Sequence, residues 1–186
     1  MNQLKKVDLA SFDNSKLDTG ASKWKYLLWY FVSSFIVQSP LFPISKLRVA
    51  LLRMFGAQVG ENVIISKPGV NVKFPWKLVI GDNTWIGENA WIYNLDQVNI
   101  GSDVCISQGA MLLTGNHNYK SVKFETFTKP ITIEDGCFIG ARSVICPGVS
   151  CKKYAVLSVG AIATKDLESE GIYFGNPAKL VKKRFD

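Results

Sequence analysis

From residue 133 to residue 168 the apolar positions recur every six residues: Ile133, Ile139, Ile145, Cys151, Leu157 and Ala163. Four positions after each stands a small or β-branched residue, namely Cys137, Ser143, Val149, Ala155 and Ala161, until Leu167 breaks the run. A period of six fits neither the helical period of about 3.6 nor the alternation of an ordinary strand. It predicts a solenoid whose coils are each built from three short strands, with a turn after every hexapeptide. The large aliphatic residue then points into the prism, and the small residue four places on fits at its corner. Gly-Asp, Gly-Glu and Pro-Gly steps supply the turns. Stacked coils pair as parallel sheets on three faces.

The same period runs upstream. IGDNTW, IGENAW and IYNLDQ follow from Ile80, and two extra residues, Val98 and Asn99, shift the frame before IGSDVC, ISQGAM and LLTGNH. The twelve hexapeptides, at three per coil, make four coils, and nine of them have Ser, Thr, Ala, Val or Cys at the fifth position. A fainter start at Val59-Gly60-Glu61-Asn62 and Ile65 points to a fifth. The frame fails after Leu112: the next inward position, Ile133, is 21 residues on where 18 would keep register, and NHNYKSVKFETFTKP has no repeat character. The expected architecture is an all-β solenoid over 57–186, with a loop excursion at 114–130 and a short basic tail.

Residues 1–56 read differently. Residues 1–22 form a polar lead-in with little to bury. From Lys23 the chain turns apolar and helical, with only Ser33 and Ser34 interrupting 26–37 before Ser39-Pro40 stops it. That run is shorter than the roughly twenty residues needed to cross a hydrocarbon core. Two readings stand: a helix capping the open end of the solenoid, or an interfacial helix with Trp24, Tyr26, Trp29 and Tyr30 at headgroup depth. A second helix is expected over 45–55, with Gly56 as its stop. The first twenty residues are polar and lack the apolar core of a signal peptide.

Charge adds one distinction. The net +7 divides into +5 over 1–56, −1 over 57–178 and +3 over 179–186. The solenoid is neutral and the ends are basic, which excludes a continuous nucleic-acid face and suits an anionic ligand or membrane surface. The four cysteines, at 105, 137, 146 and 151, form no CxxC pair. A reduced, cytoplasmic protein is expected.

The single histidine, His117, stands where the rigid repeat gives way to the loop, in TGNHNY. Imidazole titrates near neutral pH and can serve as a general base. With no second His, a zinc site is not expected, and the predicted metal set is none.

On these residues the chain resembles the hexapeptide-repeat acyltransferases, left-handed parallel β-helix enzymes that work as trimers with acetyl-CoA or another acyl-CoA. The likeness runs from about Val59 to Arg184. PWKLVIGDNTWIGENAWIYNLDQVNIGSDVCISQGAMLLTGNHNY and YFGNPAKLVKKR are most similar to the colanic acid biosynthesis acetyltransferases, relatives of the maltose and galactoside O-acetyltransferases. LRVALLRMFGAQVG adds to that likeness.

The resemblance implies roles. His117 matches the catalytic base for direct acetyl transfer to an acceptor hydroxyl, and Asn94 matches an asparagine that contacts a sugar acceptor. Tyr93 and Tyr119 are placed at the acceptor rim. Gly140, Ala141, Val159 and Gly160 match the wall along the pantetheine arm, Thr164 and Lys165 the nucleotide end, and Lys179 and Lys182 the phosphates. Lys182 departs from the family's frequent arginine, so a bidentate contact is lost there. The implied partners are two further copies in a homotrimer and a sugar or lipid-linked saccharide acceptor, with contact at the inner face of the membrane if the acceptor is lipid-linked. Serine or amino-sugar acyl transfer, and a non-catalytic scaffold, remain as alternatives.

Overall fold

The computed structural model describes residues 6–15, 17–66 and 68–185. Its body is a parallel β-solenoid with three sheets. The first stacks Gln58–Val59, Leu78–Ile80, Val98–Ile100, Ile131–Ile133 and Ser150–Cys151. The second stacks Ile64–Ile65, Trp85–Ile86, Cys105–Ile106, Phe138–Ile139, Val156–Leu157 and Gly171–Phe174, and the third Asn71–Val72, Trp91–Tyr93, Met111–Leu113, Val144–Ile145 and Ile162–Ala163. Together they make five complete coils and a partial sixth, so the faint start near Val59 is a coil in its own right. An antiparallel strand, Lys179–Lys183, closes the second sheet against Gly171–Phe174.

The hexapeptide logic holds inside. Ile133, Ile139, Ile145, Cys151, Leu157 and Ala163 are all buried, as are Cys137, Ser143, Val149, Ala155, Ala161 and Leu167 one corner on. Each large aliphatic side chain so covered stabilises the fold by about 1.5–3 kcal/mol. Between coils the backbone comes close enough to exclude a side chain at Gly140, where a Cβ would lie 2.6 Å from the Val159 amide.

From the second coil on, two of the three prism edges turn in the same way. Between the first and second sheets the turn residues Asn62, Asn83, Asp103, Gly136, Tyr154 and Glu170 each take positive φ. The left-handed region favours Gly, Asn and Asp, and most of this column obeys. The edge between the third and first sheets is irregular. Coils passing it early are offset by 20 residues, as in Trp91 opposite Met111, whereas later ones are offset by 18, as in Val144 opposite Ile162. The spare residues at 74–77, 94–97 and 114–130 therefore lie along one edge.

Two helices cover the first coil. In α1 (Lys23–Val32), Ser22 caps the start by accepting from the Lys25 amide, and the chain continues as a π-helical turn over Ser33–Val37. Trp29 is buried and donates from Nε1 to the Val72 carbonyl at 2.9 Å. In α2 (Ser45–Met54), buried Arg48 ties the two segments by donating to the carbonyls of Val37 and Ser39. Gly56, at φ 102°, ends α2. Among the described residues no helix is long and apolar enough to cross a membrane.

The lead-in departs from expectation: it is docked, not idle. The Asp8 amide donates to the Val122 carbonyl at 2.9 Å, and Trp76 Nε1 and Lys77 Nζ each donate at 2.6 Å, to the carbonyls of Thr19 and Asp18. The hydrogen bonds of backbone groups hold this segment, so its polar composition gave no sign of them.

Candidate active site

The irregular edge is built from the inside outward. Asn94 and Thr114 occupy inward positions after Ile92 and Leu112, and both are fully buried. Asn94 Oδ1 accepts from the Phe74 amide at 2.9 Å, and Nδ2 donates to the carbonyls of Phe74 at 2.6 Å and Lys77 at 3.1 Å. Thr114 Oγ1 donates to the Tyr93 carbonyl and accepts from the Asp96 amide, and Asp96 Oδ2 accepts from Thr128 Oγ1 at 3.0 Å. These bonds hold three successive turns in register.

On this footing the chain leaves the solenoid as a two-stranded antiparallel ribbon, Gly115–His117 against Thr126–Thr128, with His117 opposite Thr126. At its tip the Asn118 amide donates to the Glu125 carbonyl and Asn118 Nδ2 to Glu125 Oε1, both at 2.9 Å. Phe124 sits at φ 50°, a left-handed conformation disfavoured for a bulky residue. Its carbonyl meets His117 Nδ1 at 3.0 Å. A carbonyl can only accept, so Nδ1 carries a proton, and in the neutral tautomer the lone pair is on Nε2. The Phe124 ring stacks on the imidazole at 4.6 Å, and Phe12 of the lead-in meets it edge-on at 5.7 Å.

His117 lines a cavity of about 380 Å³ together with Phe12, Tyr26, Lys73, Tyr93 and Asn116. A larger hollow of about 630 Å³ adjoins it, sharing Asn14, Leu17, Leu95 and Thr126. It lies between the lead-in and the ribbon, with carboxylates from Asp13, Asp18, Asp96 and Glu125 and ammonium groups from Lys77 and Lys123. Lys77 Nζ is itself held by the carbonyls of Asp18 and Leu95.

Of the residues expected at the acceptor, Tyr93 reaches this cavity. Asn94 does not: it is 0% exposed and its amide is committed to backbone groups, so its place here is structural. Alternation already pointed there, since Asn94 is two residues from inward Ile92 and therefore on the same face. Tyr119 is 70% exposed at the ribbon tip and lies outside the cavity lining. Phe12, Tyr26 and Lys73 were not anticipated, and no repeat signal marks them.

The residues matched to acyl-CoA fall into three places. Gly140 and Ala141 stack against Val159 and Gly160 on the edge between the second and third sheets, with the Gly160 amide donating to the Ala141 carbonyl at 2.9 Å. Thr164 and Lys165 are exposed in the turn after Ile162–Ala163, on the His117 edge but two coils on. Lys179 and Lys182 are exposed on the terminal strand. A single chain thus puts the proposed pantetheine wall and His117 on different edges.

Burial raises all four thiols, that of Cys137 to about 11. They stay protonated at neutral pH and are poor nucleophiles. Among the described residues no group of three His, Cys, Asp or Glu side chains is placed to hold a metal ion.

A β-solenoid with an oriented imidazole beside a cavity on its irregular edge is the framework of an acyltransferase. Residues 77–113 and 130–164 match the hexapeptide repeat of succinyl-transferase, and the gap between them is the ribbon that carries His117. The chain belongs to the hexapeptide-repeat acetyltransferases. It is 33% identical over 179 residues to the "Putative colanic acid biosynthesis acetyltransferase WcaF" of Escherichia coli K12, covering 96% of this chain and 98% of that protein. It is 31% identical over 139 residues to the galactoside O-acetyltransferase of the same organism, covering 73% and 68%. The hexapeptide-repeat acetyltransferase VCA0836 of Vibrio cholerae, solved with acetyl coenzyme A, is similar with a TM-score of 0.79 at 26% identity, over 90% of this chain and 92% of that one.

Proposed function

We propose that this protein transfers the acetyl group of acetyl-CoA to a hydroxyl of a saccharide, with His117 as the general base. The observation that carries the reading is the bond from His117 Nδ1 to the Phe124 carbonyl, which leaves Nε2 as the basic atom of a ring that lines the cavity. Nε2 takes the proton of the acceptor hydroxyl as its oxygen attacks the thioester carbonyl. The C–S bond breaks, and the imidazolium returns the proton to the departing thiolate of coenzyme A. The cysteines, two buried and two half-buried with their thiols held protonated, favour this direct transfer over an acyl-cysteine route.

The adjoining hollow, lined by carboxylates, hydroxyls and two lysines, suits a polyhydroxylated acceptor. Likeness to colanic acid and galactoside acetyltransferases supports a sugar or a saccharide precursor of an extracellular polysaccharide. Three copies would complete the site. Ile64, Trp85 and Phe138 are exposed apolar residues along the second sheet, with Cys105 between the last two, and suit a subunit contact. Thr164, Lys165, Lys179 and Lys182 would face the nucleotide and its phosphates. Dependence on acetyl-CoA, with four free thiols, fits the cytoplasm.

The test is thiol release from acetyl-CoA with a panel of sugars, amino sugars and serine. Wild-type protein is expected to acetylate a sugar hydroxyl, and His117→Ala to lower kcat by about 10²–10⁴-fold. An unchanged rate in His117→Ala, or no release with any saccharide, overturns the reading.

A further inference from the structure

Helix α1 is apolar on two sides. Its inner side, with Trp29, and then Val37 in the π turn, is buried on the first coil. Its outer side carries Trp24, Leu27, Leu28 and Phe31, whose spacings of three, four and seven set them in one stripe that Phe35 continues in the π turn. All five are exposed, Trp24 by 80% and Phe35 by 68%, and the rings of Phe31 and Phe35 stack at 6.4 Å. Leu41, Phe42 and Ile44 continue the exposed apolar surface to the start of α2. Scattered apolar side chains on a surface need no explanation, but a contiguous apolar stripe on the outer side of a helix is normally covered.

Charge selects what covers this one. From Thr19 to Gly60 there is no Asp or Glu, while Lys or Arg occurs at 23, 25, 46, 48 and 53. Lys25 lies over the Trp76 ring and Arg48 is buried, but Lys23, beside Trp24, and Lys46, two residues after Ile44, are exposed. An apolar stripe bordered by cations alone is complementary to an anionic lipid surface. Pairing the same face of two copies would set cation against cation.

We propose that α1 docks this protein on an anionic bilayer, with Trp24, Leu27, Leu28, Phe31 and Phe35 in the headgroup–acyl boundary and Lys23 and Lys46 at lipid phosphates. The opposite side of the same helix supplies Tyr26 to the His117 cavity. Docking therefore sets the cavity beside the membrane surface, where the saccharide of a lipid-linked acceptor can enter. This last step rests on the acetyl-transfer reading; the docking itself does not.

The test is co-sedimentation of the full-length protein with vesicles of phosphatidylcholine alone, or of phosphatidylcholine with phosphatidylglycerol, at low and high salt. Wild-type protein is expected to pellet with the anionic vesicles, and less so in salt. The triple variant Leu28→Ser, Phe31→Ser, Phe35→Ser should lose at least tenfold in partitioning, and Lys23→Gln with Lys46→Gln about fivefold per charge. Both should keep their wild-type mass by light scattering and their acetylation of a free sugar. The proposal is overturned if wild-type protein stays in the supernatant, if either variant binds like wild type, or if the apolar variant changes only the assembly mass, which would make the stripe a contact between copies. Failure of the acetyl-transfer reading would show instead as absent thiol release with vesicle binding intact.

Discussion

His117 and Phe124 are joined twice: their rings stack at 4.6 Å with 11° between planes, and the imidazole Nδ1 donates to the phenylalanine carbonyl at 3.0 Å. One residue thus sets both the plane and the tautomer of the proposed base. It does so from a backbone conformation, φ 50°, that costs a bulky residue about 1–2 kcal/mol. Phe124→Gly should relieve that cost while removing the ring. We expect little change in Tm but a kcat about tenfold lower, with the KM for acetyl-CoA unchanged. A wild-type kcat would show that the stack does not position the base.

Asn94→Ala removes three hydrogen bonds and leaves the Phe74 amide without its partner in a buried turn. The expected loss is about 2–4 kcal/mol in urea unfolding, with the acceptor KM of the folded fraction close to wild type. The opposite result, a raised KM at unchanged stability, would return Asn94 to the acceptor.

If the site is shared between copies, two kinds of inactive chain should rescue each other. His117→Ala lacks the base, and Lys179→Glu with Lys182→Glu repels phosphates. Refolded together, they should recover activity that neither shows alone, because some interfaces then pair an intact His117 with an intact lysine strand. No recovery in mixed assemblies of confirmed composition would place each site within one chain.

Burial holds the Cys137 thiol at about 11 against an ordinary 9.0. The neutral thiol therefore favours the folded state fully below about pH 9, and that contribution is lost as pH rises toward 11. Urea midpoints should fall across this window, and less steeply in Cys137→Ala. Equal slopes would assign the alkaline loss to other groups.

The repeat was readable because each inward Ile, Leu or Val answers to the same geometry in every coil, so Ile133 and Ile139 announce one another. The first coil was fainter because its inward residues, Ile65 and Val72, stand seven apart. The place of His117 followed from the failure of the period. What oriented it did not, since a left-handed Phe124 leaves no mark in composition. Phe12 was equally silent: it is one aromatic in a polar lead-in, and the backbone bond from Asp8 to Val122 helps bring the segment to the ribbon.

From the second coil on, the spare residues emerge along one edge, while the other two edges repeat the same turn from coil to coil. Substitution or lengthening at 118–124, beyond the buried Asn94 and Thr114 that hold the turns in register, thus leaves the stacking of the remaining prism untouched. The fold separates a part that must keep time from a part free to vary. The proposed acceptor site could be varied by exchanging the ribbon tip beyond His117, with the wall proposed for the acyl donor kept as it is.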